Sequence, residues 1–252
     1  MLVSLTDKVV MVTGSARRVG RAILLAFARE GAHVIIHHSH SDADAASAAE
    51  EARAFGVKAL IVKGDYSDPA QINANFNEVI SHFGRLDILV NSASIFEKAA
   101  LLDITPSDWR HVLDINLNAP FYASTVAAQL MRDFGIPGSI LNIADNSGVS
   151  PVADRPHHSV SKAGLIHLTK TAALALAPYQ IRVNALVLGP VLPEPGRSME
   201  SWAKSAAKLP LKRAGTPDDA ARAALFLATN DFITGAILHV DGGEALITGG
   251  LA

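Results

Sequence analysis

Short, almost wholly apolar segments recur along this chain, each followed by a longer amphipathic stretch, and that alternation limits the folds open to it. Segments 8–12, 34–36, 59–62 and 86–90 read as strands, with helix-like stretches at 19–30, 42–55 and 69–83 between them. Gly31 and Gly56 stop the first two of these helices. Segments 139–143, 181–187 and 236–240 supply three more strands, and 106–134, 156–177 and 217–228 the intervening helices. Strands that are apolar throughout, rather than at every second residue, are buried on both faces, as in a parallel sheet sandwiched by helices. With 252 residues, 49% of them hydrophobic, the chain can bury a large core. No internal repeat or low-complexity linker divides it. The expectation is α/β: one doubly wound domain over 1–252, of about seven parallel strands.

Composition narrows the partners. A net charge of −2 without a basic block points to neither nucleic acid nor an anionic membrane surface. The absence of cysteine removes disulfide and thiol chemistry and fits a reducing compartment. The opening residues, Met1-Leu2-Val3-Ser4-Leu5, carry no basic stretch before an apolar run, and nowhere is there an apolar segment long enough to span a bilayer. A cytoplasmic protein acting on a small molecule is expected.

The first strand leads into Thr13-Gly14-Ser15-Ala16-Arg17-Arg18-Val19-Gly20. Glycines there allow a tight turn, and the helix that follows offers free N–H groups and a positive dipole end to a pyrophosphate. Gly14, Ser15, Arg17, Arg18, Val19 and Gly20 are therefore candidate cofactor residues, in a Rossmann-type unit. The second strand ends in His37-His38-Ser39-His40-Ser41, and Asp42 is the first acid. Recognition of NAD requires a carboxylate near this point for the ribose 2′-hydroxyl. A 2′-phosphate would instead be welcomed by Arg17, Arg18, Ser41 and partly protonated histidines, with His38 and Ser39 beside them. A solvated loop is a second reading of the histidines. A metal site is a third, although alternate strand residues point to opposite faces and no acid or cysteine cluster completes a ligand set, so no metal is expected.

The turn resembles the TGxxxGxG fingerprint of short-chain dehydrogenases/reductases, with Arg18 at the middle glycine; TGxxxRxG is similar to pteridine reductases within that family. The histidine stretch resembles their HYxRS segment, with His40 at the arginine. The likeness extends over nearly the whole chain: Asp65-Tyr66, Asn91-Ser92-Ala93-Ser94, Asn116, Gly189-Pro190 and His239-Val240-Asp241-Gly242-Gly243 all stand at family spacing. The resemblance implies that Asp65, with Tyr66, meets the adenine and that 91–94 and Ile143 line the cofactor. It also implies that Asn116 kinks the central helix and holds a relay water, and that Gly189 and Pro190 flank the nicotinamide. NADP(H) as cofactor and a homotetramer follow from the same likeness.

The chemistry departs from the pattern at one place. His157-His158-Ser159-Val160-Ser161-Lys162 resembles the family's YxxxK helix with His158 at the tyrosine. None of the three tyrosines, Tyr66, Tyr122 and Tyr179, has a lysine four residues later. Lys162 matches the lysine that binds the nicotinamide ribose and lowers the acid's pKa. Asp145 stands at the substrate-orienting serine, thirteen residues before the tyrosine position, as in pteridine reductases. An imidazole titrates near 6.5 and can protonate a carbonyl, but the Lys162 cation opposes its charged form. His158 as acid, as an orienting group, or as a relic of lost activity are all open. Phe96, Arg18, Ser94 and Asp145 match residues of the pterin pocket, and 191–212, with Pro193, Pro195, Gly196, Trp202 and Leu209, reads as a mobile lid. The expected activity is NADP(H)-dependent hydride transfer to a carbonyl or pterin-like substrate. A weakly catalytic NADP(H)-binding protein and a reductase for another carbonyl are the competing readings.

Overall fold

The computed structural model describes residues 3–194 and 196–248; Met1, Leu2 and the predicted lid residue Pro195 fall outside them. Seven strands form one parallel sheet in the order β3-β2-β1-β4-β5-β6-β7: β1 Val9–Val12, β2 His33–His38, β3 Ala59–Lys63, β4 Ile88–Asn91, β5 Ser139–Asp145, β6 Arg182–Leu188 and β7 Ile237–Val240. The chain runs outward from β1 to β3, then returns to place β4 against the other side of β1, with Val10 level with Ile88. That reversal opens a crevice beyond the carboxyl ends of β1 and β4, where such sheets bind ligands.

Helices cover both faces. On one side α1 (Arg18–Arg29), α2 (Asp42–Arg53) and α8 (Pro217–Thr229) pack Ile23, Phe27, Ala48 and Leu227 against Val10, Val12 and Ile36. On the other, α3 (Pro69–Phe83), α5 (Ala119–Asp133) and α6 (Pro156–Leu176) pack Ile72, Phe76, Met131 and Ala173 against Met11, Ile35 and Leu89. Local chemistry sets the helix starts. Asp68 caps α3, and Thr105 and Thr216 form capping boxes with Asp108 and Asp219, each before a proline at the first helical position.

Three differences from the sequence expectation bear on the site. β2 continues through His37 and His38, which pair with Val62 and Lys63 instead of forming a solvated loop. The long helix expected at 106–134 is interrupted: α4 (Pro106–Leu113) passes through a π-turn, Asp114–Asn118, into α5. The lid region contains a helix of its own, α7 (Met199–Ala206), capped by Ser198. A short α9 (Glu244–Thr248) follows β7. No described helix is long and apolar enough to cross a membrane.

Candidate active site

The crevice at the strand ends holds a cleft of about 390 Å³ between the glycine turn, the end of β2 and the segment after β4. Gly14 has φ +63°, and a Cβ on it would lie 2.8 Å from the Ala93 Cα; one on Gly20 would lie 2.6 Å from the Gly14 carbonyl oxygen. Backbone occupies the space any side chain would need, so both positions demand glycine. The turn thus keeps a flat backbone surface beside the free N–H groups that begin α1, which fits a pyrophosphate. A larger hollow, about 670 Å³, lies at the opposite end of the sheet. Its charged groups are already paired: Lys8 with Asp87, and Arg182 with the carbonyls of Leu227, Ala228 and Ile233.

Several predicted cofactor residues serve the walls of the cleft rather than its surface. The Ser15 hydroxyl is buried and donates to the Val12 carbonyl. The Asn91 amide donates to Asn142 (2.8 Å) and Ser124 (2.9 Å), beneath the strand end. Gly189 packs so tightly on Asp241 that a Cβ would lie 2.6 Å from its Cα, which explains the glycine without a ligand. Tyr66 does line the cleft, though it is largely buried, its hydroxyl accepting a long bond from Asn75. Val19, Ser92, Ala93, Ser94, Ser39, Ser41 and Asp65 do line the cleft, and Asp65 is exposed there, its carboxylate held low by the Ser67 N–H. Thr13, absent from the predicted set, ties the two turns together by accepting from Ser92 and Ala93 N–H.

The arginines diverge. Arg17 is exposed at the rim, 3.6 Å from Asp44 on α2. Arg18 adopts φ +57°, the left-handed conformation in which glycine is usual, at a cost of about 1–2 kcal/mol. Its guanidinium donates to the Pro193 carbonyl in the 191–212 segment (3.0 Å). Asp42 is gripped by Lys63 (2.9 Å), and Ser41 donates its backbone N–H to the buried His38 Nδ1 (3.2 Å). His37, one residue earlier, is also buried, its Nδ1 accepting from Gly14 N–H and its Nε2 meeting the Gly64 carbonyl. The three histidines gather no metal ligand set among the described residues.

At the other end of the crevice, the four predicted catalytic side chains converge. His158 Nε2 lies 2.8 Å from Asp145 Oδ2. Its Nδ1 lies 3.2 Å from Asn116 Nδ2 and 3.1 Å from the Ile95 carbonyl. Asn116 is aimed by the π-turn: its Oδ1 accepts from Ile95 N–H and Ser94 Oγ, and its Nδ2 reaches Ile95 O and Ser161. Lys162 is buried and donates to the Ile143 carbonyl (3.1 Å); burial pushes its pKa down, against the pull of the Asp145 charge. Burial would raise Asp145, but bonds from His158 and Ser147 and the Lys162 cation hold its carboxyl well below the usual range. His158 is only 1% exposed, whereas Asp145 is 29% exposed. The carboxylate is therefore the more exposed member of the pair, and the imidazole the buried one.

Beside this pair, Phe96 is half-exposed and sets its ring edge-on to His158, centroids 4.7 Å apart. Arg155 lies over the Phe96 ring at 4.1 Å and is held by both oxygens of Asp154. Lys98 and Arg155 both reach Glu194, so ion pairs join the 191–212 segment to the loops after β4 and β5.

Residues 14–244 match the family described as enoyl-(acyl carrier protein) reductase. The chain is 37% identical to the L-rhamnose 1-dehydrogenase (NAD(P)(+)) of Azotobacter vinelandii, over 95% of this chain and 97% of that protein. It is 38% identical to the galactitol 2-dehydrogenase of Agrobacterium fabrum, over 95% and 98%. Among solved structures, a short-chain dehydrogenase/reductase from Serratia marcescens superposes with a TM-score of 0.90 at 32% identity, over 96% of this chain and all of that one.

Proposed function

Because the chain belongs to the short-chain dehydrogenase/reductase family, we propose that it is an NADP(H)-dependent oxidoreductase in which Asp145 and His158 together perform the proton transfer of the family's tyrosine. When bound, the nicotinamide exchanges a hydride with the substrate carbon. The protein must hold the matching proton. The observation that carries the reading is that His158 Nε2 lies 2.8 Å from Asp145 while Nδ1 lies 3.1 Å from the Ile95 carbonyl. With Nδ1–H held by the Ile95 carbonyl, the Nε2 proton of a charged ring crosses to Asp145 as Asp145 gives a proton to the substrate oxygen, leaving a neutral ring; oxidation returns the proton by the same route. The Ile95 carbonyl thus keeps its bond to Nδ1–H in both states while the proton that moves is the one between Nε2 and Asp145. A substrate hydroxyl or carbonyl oxygen meets Asp145, the more exposed of the two, first, and the imidazole behind it stores the proton. Lys162 keeps the carboxylate ionised from below.

Two substrate classes are supported by different observations. The names of the similar dehydrogenases favour a sugar- or polyol-like carbonyl and its alcohol. The half-exposed ring of Phe96 beside His158 favours a flat, pterin-like ring, although Arg155 already covers one face. NADPH oxidation with diketones, dihydropterins, dihydrofolate and quinones, and NADP⁺ reduction with sugars and polyols, separates them. Turnover with at least one is expected. Tight NADPH binding with no turnover anywhere would favour the cofactor-binding protein instead.

Cofactor choice rests on Arg17 and Ser41 at the rim, with the nearby acids Asp42 and Asp44 engaged by Lys63 and Arg17. NADPH is expected to bind at least about tenfold more tightly than NADH, roughly 1.4 kcal/mol. Arg17→Ala should remove most of that difference, and Arg18→Gly much less. Calorimetric titrations giving equal or tighter NADH binding would sink the assignment. We also infer a cytoplasmic homotetramer: Leu101, Leu102, Phe121 and Tyr122 are exposed before and along α4 and α5. Light scattering of a monomer at micromolar concentration would refute it.

A further inference from the structure

We propose that His37 is a positioning residue for the dinucleotide, a neutral imidazole that locks the glycine turn in its binding conformation. This rests on the NADP(H) reading above. His37 stands where three strands end. Its Nδ1 accepts the Gly14 N–H at 3.1 Å, from the turn after β1. Its Nε2 donates to the Gly64 carbonyl at 3.0 Å, after β3. Its backbone exchanges bonds with Ser15: the Ser15 N–H donates to the His37 carbonyl, and the Ser15 hydroxyl accepts from His37 N–H. The ring packs on Tyr66, centroids 3.8 Å apart.

Chemistry fixes the tautomer. Gly14 N–H is a donor only, so Nδ1 must present a lone pair; Gly64 O is an acceptor only, so Nε2 must carry the proton. A second proton at Nδ1 would set two donors against each other and release the turn. The surroundings oppose that proton. Burial acts first and most strongly, and His38 on the same strand adds to it; the Gly64 carbonyl and Asp65 after β3 pull the other way. Tyr66 faces the ring uncharged, its own pKa raised by burial, and Gly14 and Ser15 bring no charge from the turn. The ring therefore stays neutral, with a pKa lowered to about 4. Gly14 needs this partner because its φ of +63° takes its N–H off the strand ladder. With the turn tied to β2 and β3, the N–H groups beginning α1 keep a fixed aim at the pyrophosphate.

The test is calorimetric binding of NADP⁺ at pH 7 to the wild type, His37→Asn and His37→Phe, with ¹⁵N-imidazole spectra of the wild type. Asparagine places Oδ1 the same two bonds from Cβ as Nδ1, so His37→Asn should bind within about threefold of the wild type. Phenylalanine keeps the ring packing and lacks the acceptor, so His37→Phe should weaken binding about tenfold or more. The spectra should show a protonated Nε2 and a bare Nδ1 from pH 7 down to 5.5. Unchanged affinity in His37→Phe would overturn the inference, and so would asparagine failing to bind better than phenylalanine. Should His37→Phe not fold, an Nδ1-protonated tautomer, or a ring that titrates near 6.5, would overturn it alone. A wild type that binds NADPH and NADP⁺ not at all would instead overturn the cofactor reading, and this inference with it.

Discussion

Asp145→Asn is expected to lower kcat by about 10²- to 10⁴-fold, the range a positioned acid–base group contributes. The substitution keeps the shape and leaves Oδ1 able to accept from His158 Nε2, but it removes the charge that draws the proton to the pair. It also takes away the anion that supports the buried Lys162, whose pKa should fall further. Affinity for NADP⁺ should stay within about threefold, because the glycine turn and the end of β2 are untouched. Stopped-flow turnover with the substrate found in the panel, beside calorimetric cofactor binding, checks both halves. A kcat within threefold of the wild type would remove Asp145 from the chemistry. The same geometry decides what installing the family's tyrosine should do. A phenol at 158 reaches further than the imidazole and lands on the Asp145 carboxylate, already 2.8 Å from His158 Nε2. His158→Tyr alone should therefore fail to raise turnover of a simple diketone. His158→Tyr with Asp145→Ser, which restores the serine–tyrosine pair, should exceed His158→Tyr by about tenfold or more.

The second large effect is on stability in mild acid. Unfolded, His37 takes up a proton near pH 6.5; folded, it resists until about 4. Between those values the unfolded chain binds more protons, so stability rises with pH across the window. The contribution is fully present above 6.5 and is lost as pH falls toward 4, amounting to about 3 kcal/mol. The carboxylates held low, Asp87 and Asp145, lose their contribution only below the ordinary carboxylate range, so they do not mask the window. The buried His38 shifts in the same direction and adds to the slope. Urea unfolding at pH 7 and 4.5 should show the loss, and His37→Asn should show a smaller one. Equal losses in both proteins would assign the acid sensitivity elsewhere.

What could be read from the chain followed the range of the forces involved. The alternation of apolar strands and amphipathic helices is local, and it located all seven strands and the crevice at the glycine turn. Gly14 and Gly20 were legible because a tight turn needs glycine whatever surrounds it. The two histidines closing β2 were not. Their polarity suggested a phosphate site first and a solvated loop second, whereas His37 is buried against Gly14 N–H and Gly64 O, brought together only by the sheet. Arg18 invited a phosphate by its charge, but its left-handed backbone turns the guanidinium to the 191–212 segment. Asp145 and His158 were each picked out singly, and their direct contact was missed. A shorter ring at 158 leaves room for a carboxylate to meet it, a fact of packing rather than of motif.

The central claim, that Asp145 and His158 move the proton as one unit, is tested most directly by a double-substitution cycle on kcat. Asp145→Asn, His158→Gln and the pair would be compared at saturating cofactor. Groups acting as a unit are strongly non-additive, so the double variant should be no worse than about threefold below the poorer single one. Losses that multiply, each single substitution exacting its full cost in the presence of the other, would contradict the account.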